Sequence, residues 1–226
     1  MSSGFWEEER DEAPPAVLDD VVDVAFALAA SSLAADHAWA LAQALREPLP
    51  WFDGEPLAGL HLVHTAASGN GWTSPEDVPG GVLYLSRRTR LVLRLPQARV
   101  AAARQLSGHA LRVAGSELQV GAAKVQLLSP LTTLYCRHLV TTDTADEAAF
   151  LGSVSEGLAA LGIRCRRMVS GRPGRFRFPD GAIATRSLLL ADLDFADSQL
   201  LQRHGLGRGR HTGFGLFVPH KTVGSR

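Results

Sequence analysis

Cysteine is scarce in this sequence of 226 residues, which contains only Cys136 and Cys165. Two cysteines are too few for a disulfide framework or for a zinc site of paired Cys-x-x-Cys motifs, and we expect buried thiols in a reducing cytosol. Long apolar runs are also missing, because no segment approaches the roughly 18 residues of a membrane span. The acidic start, "MSSGFWEEERDEAPP", lacks the basic and then apolar pattern of a signal peptide. These absences predict a cytoplasmic protein with no membrane partner.

Lysine is nearly absent, and Lys124 and Lys221 are its only two copies, so almost all the positive charge is arginine. The formal net charge of zero hides a strong asymmetry. Residues 1–80 carry two basic and fourteen acidic side chains, whereas residues 81–226 carry twenty-one basic and nine acidic ones. Such asymmetry predicts a polyanionic partner for the basic part, and mutual attraction of the two parts is the alternative. Arginine suits nucleic acid because it binds phosphate bidentately and stacks on bases.

The chain divides into an acidic flexible arm over residues 1–16 and two similar units over residues 17–118 and 119–226. Each unit shows the order β-α-β-β-α-β, with glycine- and proline-rich turns between the segments. This order is that of a ferredoxin-like domain. The predicted fold class is therefore α+β, with two tandem ferredoxin-like (RRM-like) domains and a C-terminal glycine-rich loop over residues 205–215. Residues 59–66 and 214–221 are predicted strands, and residues 170–181, "SGRPGRFRFPDG", are a predicted loop or hairpin tip.

The glycine-rich loop, "GLGRGRHTGFG", joins the last predicted helix to the last predicted strand. Its glycines allow positive φ and close approach of a ligand, and backbone N–H groups beside arginines form an anion site. The loop has no GK[ST] of a phosphate-binding P-loop. It also lacks the strand-then-helix context of a dinucleotide fingerprint. A flexible connection without a ligand is the alternative interpretation.

This loop ahead of "LFVPHK" resembles the CRISPR-associated endoribonuclease family that cuts precursor CRISPR RNA, within the repeat-associated (RAMP) superfamily. "ADHAWALAQALREPLPWF" resembles the family's first helix, and "LSRRTRLVLRLP" with "LSGHALRVAG" resembles the middle of its myxobacterial-type subfamily. The resemblance implies tandem ferredoxin-like domains, binding of a CRISPR repeat stem-loop and metal-independent cleavage on the 3′ side of the stem. It implies no cofactor, and it suggests other subunits of a type I effector complex as further partners.

Eight histidines could serve metal-free RNA cleavage, because imidazole exchanges protons near neutral pH. His37 follows Asp36, a predicted helix cap, at the start of the first helix. The helix N-terminus favours a neutral imidazole there, whereas Asp36 favours the charged form. The resemblance places the catalytic histidine in this helix and so favours His37, with His211 second. The second catalytic residue varies in the family, and Tyr135 is our expectation.

Ser129 and Ser31 are weaker candidates for the second catalytic residue. We expect no metal site, since His61 and His64, three residues apart in a predicted strand, point to opposite faces.

The predicted RNA-binding residues fall into three groups: a pair near the middle of the chain, a basic cluster in the second unit, and the glycine-rich loop with the lysine after it. They are Arg87 and Arg88, then Arg166, Arg167, Arg172 and Arg175, and then Gly207, Arg208, Gly209, Arg210, His211, Gly213, Gly215 and Lys221. Phe176 and Phe178 lie among these arginines and could stack on a base, although a place in the core is the better expectation. A non-catalytic RNA-binding subunit of a CRISPR effector complex is the alternative function, and an unrelated RNA-recognition module is weaker because no RRM-type aromatic motif is present.

Overall fold

The structure is a computed structural model that describes residues 20–64, 80–142 and 146–220. The predicted arm over residues 1–16 and Lys221 lie outside these ranges. No helix in the described part of the chain has the length and apolar character needed to cross a membrane. Cys136 is buried as expected, whereas Cys165 is half-buried.

The first unit contains seven strands and two helices in the described ranges. They are β1 (Val21–Ala29), β2 (Ser32–Ala34), α1 (Ala38–Arg46), β3 (Gly59–His61), β4 (Val82–Tyr84), β5 (Arg90–Pro96), α2 (Val100–Arg104), β6 (Ala110–Val113) and β7 (Ser116–Leu127). One sheet has the order β3-β5-β1-β7-β6, and β2 pairs with β4 in a small separate ladder. The order β3-β5-β1-β7 is that of a ferredoxin-like sheet, to which β6 adds a hairpin strand.

The second unit contains four strands and two helices. They are β8 (Leu134–Val140), α3 (Glu147–Ala160), β9 (Arg167–Phe178), β10 (Gly181–Ala191), α4 (Phe195–His204) and β11 (Val218–Pro219). The sheet order β11-β8-β10-β9 is again ferredoxin-like, and all of its pairs are antiparallel. The predicted tandem fold is therefore confirmed.

The boundary expected at residue 118 is too early. Strand β7 pairs with β1 from Val22↔Leu127 to Ala29↔Gln119, so the first sheet extends to Leu127. The expected boundary divided this strand because its small and polar residues, "GAAKVQ", carry a weak signal for a half-buried strand.

Three local predictions also differ from the structure. The strand predicted over residues 59–66 ends at His61, and the one predicted over residues 214–221 is paired only at Val218 and Pro219. The loop predicted over residues 170–181 is mostly strand β9, which pairs with β10 along its length. Pro173 is tolerated there because β9 is an edge strand, where a missing N–H need not leave a partner unpaired.

Each unit packs helices on one face of its sheet. In α1 the side chains of Leu41, Ala42 and Leu45, at helical spacing, are buried in the first core. In α3, Asp146 caps the helix by accepting from the Ala149 N–H at 2.9 Å, while Phe150 and Val154 enter the second core.

A third buried cluster joins the two units and contains Ala38, Leu62, Phe176 and Phe214. Phe178 packs against it, and its ring lies 5.3 Å from that of Trp39. Both phenylalanines therefore belong to the core between the units, as expected.

Candidate functional site

A small cleft of about 90 Å³ lies between the two units, where the end of β3 faces β8 and β11. It is lined by His61, Leu62, His64, Tyr135, Arg137, His138, Gly213, Leu216 and Val218. Three histidines, a tyrosine and an arginine thus converge at one place. We call it the interdomain cleft.

A β-bulge in β8 brings His138 to the interdomain cleft. Cys136 pairs with Leu188 and Leu139 pairs with Arg186, so β8 uses three residues where β10 uses two. Because of the extra residue, both Cys136 and Leu139 enter the helix-covered core, and His138 remains on the opposite face with Tyr135. Bulges of this kind re-aim side chains beside functional sites.

His64 and His138 are neighbours within the interdomain cleft. Their ring centroids are 5.7 Å apart, and the rings are tilted by 37°. His138 is buried, with its ring edge-on to Phe176 at 4.8 Å, whereas His64 is only partly buried. Of the two imidazoles, His64 is therefore the more accessible to a ligand.

Tyr135 and Arg137 form the other wall. The Arg137 guanidinium lies 5.8 Å from the centre of the Tyr135 ring, and that ring lies 6.0 Å from His220. Arg137 is exposed and Tyr135 is half-buried. An exposed guanidinium beside a phenol gives this wall a positive charge and hydrogen-bond donors for a phosphate.

His61 is held by a buried ionic group at the back of the cleft. Its Nε2 lies 3.6 Å from the Asp23 carboxylate, and burial lowers the pKa of His61 although Asp23 raises it. Burial alone would raise the pKa of Asp23. The Arg94 guanidinium and His61 outweigh that effect and hold it well below its usual range.

Arg94 connects the ionic group to the second unit. It binds Asp23 bidentately, with Nε–Oδ1 and Nη2–Oδ2 distances of 2.8 and 2.9 Å. Its Nη1 donates to the backbone carbonyls of Gln202 and Phe217, at 2.8 and 2.7 Å. The side chain is 1 % exposed, so the pair is a buried connection between the units.

His37 is buried at the start of α1 and is 2 % exposed. Its Nε2 accepts from the Val63 N–H at 3.1 Å, and its Nδ1 lies 2.8 Å from the Ala34 carbonyl and 3.1 Å from that of Ala35. These partners fit the neutral tautomer that carries its proton on Nδ1. His37 thereby fixes Val63, the residue directly before His64.

Asp36 does not cap α1, contrary to the sequence-based expectation. The N-cap residue is His37, and no side chain caps the helix. The Asp36 carboxylate instead accepts from the backbone N–H of Arg177 at 3.1 Å, so it ties the first unit to β9. The capping role was predicted from the first unit alone, whereas the actual partner of Asp36 belongs to the second unit.

The glycine-rich loop is closely packed and is not a loose connection. All five of its glycines have positive φ, as expected. The backbone N–H of Leu206 donates to Gly215 at 2.9 Å, and that of Gly215 donates to His138 at 2.8 Å. A Cβ on Gly213 would collide with the Leu62 side chain, so this glycine permits the contact between the units.

Arg210 lies inside this packed region. It donates to the backbone carbonyls of Leu57, Ala58, Arg203 and His204, at distances of 2.6 to 3.0 Å. Burial lowers its pKa to about 10, with Arg94 acting in the same direction. Two of these carbonyls belong to each unit, so Arg210 joins the units. The sequence predicted a phosphate contact for Arg210 and did not predict this joining role.

His211 and Arg208, in the same loop, differ in their exposure to solvent. His211 Nε2 lies 2.9 Å from the Glu55 carbonyl, and its ring is edge-on to Phe52 at 5.5 Å. Arg208, two residues away from Arg210, is exposed, as is Gly207. Arg208 is therefore the cation of the loop that faces solvent.

The remaining predicted RNA-binding arginines lie on the surface. Arg87 and Arg88 occupy the turn between β4 and β5, and Arg166, Arg167, Arg172 and Arg175 lie on or beside the long β9–β10 hairpin. All six are exposed. Arg167 also forms an exposed ion pair with Asp192 at 3.0 Å. The weaker catalytic candidate Ser129 is engaged with α4, where its carbonyl accepts from Gln199 and Gln202.

His61 and His64 line the same cleft, contrary to the strand-based expectation that they face apart. The strand ends at His61, so period-two alternation does not extend to His64. Within the described residues, no group of three or more histidine, cysteine or acidic side chains is arranged to hold a metal ion.

Sequence reasoning missed His64, His138, Arg137 and Arg94. The pattern "YCRH" carries a signal for Arg137 and His138, since polar residues interrupt a strand that is otherwise apolar. The bulge that places His138 beside Tyr135 has no signal in the sequence. Arg94 alternates with aliphatic residues, and only the pairing of β5 with β1 shows its partner, Asp23.

The chain has two ferredoxin-like units joined across a histidine-lined cleft. It is therefore a tandem ferredoxin-like protein, as the resemblance implied. The Cas6 family model, described as Cas6 Crispr, matches residues 22–222. The chain is 32 % identical over 198 residues to the CRISPR-associated endonuclease Cas6 of Myxococcus xanthus (strain DK1622), with 88 % of this chain and 81 % of that protein covered. The chain therefore belongs to the Cas6 family.

Solved structures support the fold. A CRISPR associated protein Cas6 matches with a TM-score of 0.59 at 13 % identity, over 89 % of this chain and 100 % of that one. The CRISPR endoribonuclease Cse3 bound to a 19 nt RNA matches with a TM-score of 0.52 at 14 % identity, over 87 % of this chain and 96 % of that one. At these identities the likeness shows a shared fold.

Proposed function

We propose that this chain is an endoribonuclease that binds CRISPR repeat RNA and cleaves precursor CRISPR RNA to give guide RNAs. Membership of the Cas6 family and the endonuclease name of its 32 % identical relative support the proposal. The observation that carries it is the interdomain cleft, where His64, His138, Tyr135 and Arg137 meet in a chain of this family. These side chains suit proton transfer and phosphate binding.

The proposed reaction is metal-independent. The ribose 2′-oxygen attacks the adjacent phosphorus while a base takes the 2′-OH proton. The bond from phosphorus to the 5′ oxygen then breaks, and an acid protonates that leaving oxygen. The products are a 2′,3′-cyclic phosphate and a 5′-hydroxyl. Positive donors near the phosphate stabilise the charge that develops on its oxygens, and Arg137 supplies one.

Tyr135 and His37, the two expected catalytic residues, have different places in this proposal. Tyr135 lines the interdomain cleft and is close enough to Arg137 to contact the same phosphate. His37 lies behind the cleft, where both of its ring nitrogens contact backbone groups. His37 acts as the proton-transfer group only if RNA binding releases Val63; otherwise it positions the segment that carries His64.

The RNA stem is held by the exposed arginines of the β9–β10 hairpin, chiefly Arg172 and Arg175, and Arg208 of the glycine-rich loop contacts a phosphate of the adjoining single strand. Arg87 and Arg88 form a second backbone contact. Guanidinium groups on an exposed hairpin can bind the phosphates of a stem without reading its sequence. Other subunits of a type I effector complex are the further proposed partners.

A labelled repeat hairpin incubated with the chain in EDTA tests the proposal. We expect one cut, a 2′,3′-cyclic phosphate on the upstream product and a 5′-hydroxyl on the downstream product. A substrate with 2′-deoxyribose at the cleavage site is the control and should remain intact. Tight binding without any cut would favour the alternative, a non-catalytic subunit, and a 5′-phosphate product would contradict attack by the 2′-OH.

A further inference from the structure

The interdomain cleft contains a pair of imidazoles that the expected mechanism does not use. His64 is partly buried on the first-unit wall, and His138 lies behind it on the second-unit wall, with 5.7 Å between ring centroids. Arg137 and Tyr135 complete the same cleft. The pair joins residues 74 positions apart, so it exists only when both units are docked.

Three of the other histidines are less suited to contact a substrate. His37 is 2 % exposed and holds Val63, and His61 is enclosed with Asp23 and Arg94. His211 packs on Phe52 and bonds to the Glu55 carbonyl. His61 and His64 are both partly exposed in the interdomain cleft, but His61 lies against the Asp23 carboxylate, whereas His64 shares the cleft with the exposed Arg137.

Two contacts hold the residues that precede His64. The His37 ring accepts from the N–H of Val63. Leu62 packs at Gly213 of the glycine-rich loop. These contacts place the segment that presents His64 to the cleft, and such positioning favours proton transfer.

We propose that His64 is a catalytic residue that exchanges a proton with the reacting ribose-phosphate, and that His138 is the positioning residue that orients it. This inference rests on the proposed ribonuclease function. Arg137 binds a non-bridging phosphate oxygen beside His64. Either His64 takes the 2′-OH proton as the 2′-oxygen attacks phosphorus, or it gives its own proton to the departing 5′ oxygen. In both cases one proton moves and no co-reactant is needed.

The first test compares His64→Gln with His109→Gln, a matched change at an exposed histidine remote from the cleft. We expect His64→Gln to lower the single-turnover cleavage rate at least about a hundredfold, with the RNA dissociation constant unchanged within about threefold. His109→Gln should retain the wild-type rate. A His64→Gln variant that cleaves within about threefold of wild type would overturn the inference.

Chemical rescue separates proton transfer from a structural role. Free imidazole should restore cleavage to His64→Ala, and 4-methylimidazole, which has a higher pKa, should restore it to a different extent in the manner of a Brønsted series. His138→Ala should lose activity without rescue of this kind. Equal rescue by both compounds would show that they merely fill space, and His64 would then be structural.

Wild-type behaviour distinguishes the inference from the function on which it rests. A wild-type chain that neither binds nor cuts repeat RNA refutes the proposed function. Active wild type with active His64→Gln refutes only this inference. Binding provides an independent readout, because an uncleavable 2′-deoxy repeat should shift the NMR resonances of the His64 ring and leave those of His109 in place. Unchanged His64 resonances in the bound state would also count against it.

Discussion

Arg208 and Arg210 belong to one glycine-rich loop, yet the structure predicts opposite consequences for replacing them with alanine. Arg210 donates four hydrogen bonds to backbone carbonyls of both units. Hydrogen bonds to charged groups contribute about 1.5–3 kcal/mol each, and they are not additive. Because Arg210 is half-buried, water replaces part of this network. We expect Arg210→Ala to lower the free energy of unfolding by about 3 kcal/mol.

For a chain of this size, each kcal/mol changes the melting temperature by about 2–4 °C. Arg210→Ala should therefore lower it by about 6–12 °C. Arg208 is exposed, so Arg208→Ala should change the free energy of unfolding by no more than about 0.5 kcal/mol. Differential scanning calorimetry of both variants beside wild type measures this difference.

RNA binding should show the reverse order. Each phosphate contact to single-stranded RNA contributes about 0.7 to the slope of log affinity against log salt concentration. Arg208→Ala should flatten that slope by about 0.7, whereas Arg210→Ala should leave it unchanged below the melting transition. The sequence alone predicts a phosphate contact for both arginines, and so a flattening for both. Equal flattening in both variants, with equal melting temperatures, would refute the structural reasoning.

Three further outcomes follow from the buried contacts. Gly213→Ala should lower both stability and cleavage, because a Cβ there collides with Leu62; wild-type activity would show that the packing adapts. The pKa of Asp23 is lower in the folded chain than its unfolded value of about 3.9, so the ionised carboxylate stabilises the fold at pH values above about 3.9. This stabilisation is lost as the pH falls toward the folded pKa. The difference in melting temperature between wild type and Asp23→Asn should therefore shrink in acid. His37→Ala should reduce cleavage at least about a hundredfold, and His37→Gln, whose side-chain carbonyl can still accept from Val63, should recover part of it if His37 only positions the cleft. If single-turnover cleavage and melting show that His37→Gln is inactive but stable, His37 itself transfers a proton.

The two ferredoxin-like units could be predicted because their apolar periodicity alternates between strand and helix, with glycines at the helix ends. Gly162 and Gly205 have positive φ after α3 and α4, which is the geometry that glycine favours at such a position. The part of strand β9 after residue 169 could not be predicted, because "GRPGR" has the composition of a turn. Its pairing with β10 outweighs that composition, and an edge position accommodates Pro173.

The candidate site was less accessible to sequence reasoning, since its residues come from segments that meet only in the folded chain. Tyr135 was anticipated and lines the interdomain cleft, whereas His138 reaches it through a bulge that composition does not signal. Arg210 looked like an RNA ligand because arginine between glycines has the same composition whether it binds phosphate or backbone carbonyls. The distinction depends on where Leu57 and Ala58 lie, and those residues belong to the other unit.

The contacts between the units explain why the glycine-rich loop matters even where it does not touch RNA. Arg94 of the first unit donates to a carbonyl of the second, Arg210 of the second unit donates to carbonyls of the first, and Gly213 lets Leu62 pack against the loop. Together they fix the end of β3 against β8, so the segment after β3 brings His64 and β8 brings His138 into one cleft. Displacing a reacting group by about 1 Å can cost a hundredfold in rate. A change at these joining residues should therefore reduce cleavage more than it weakens RNA binding, whereas a change at Arg172 or Arg175 should do the opposite.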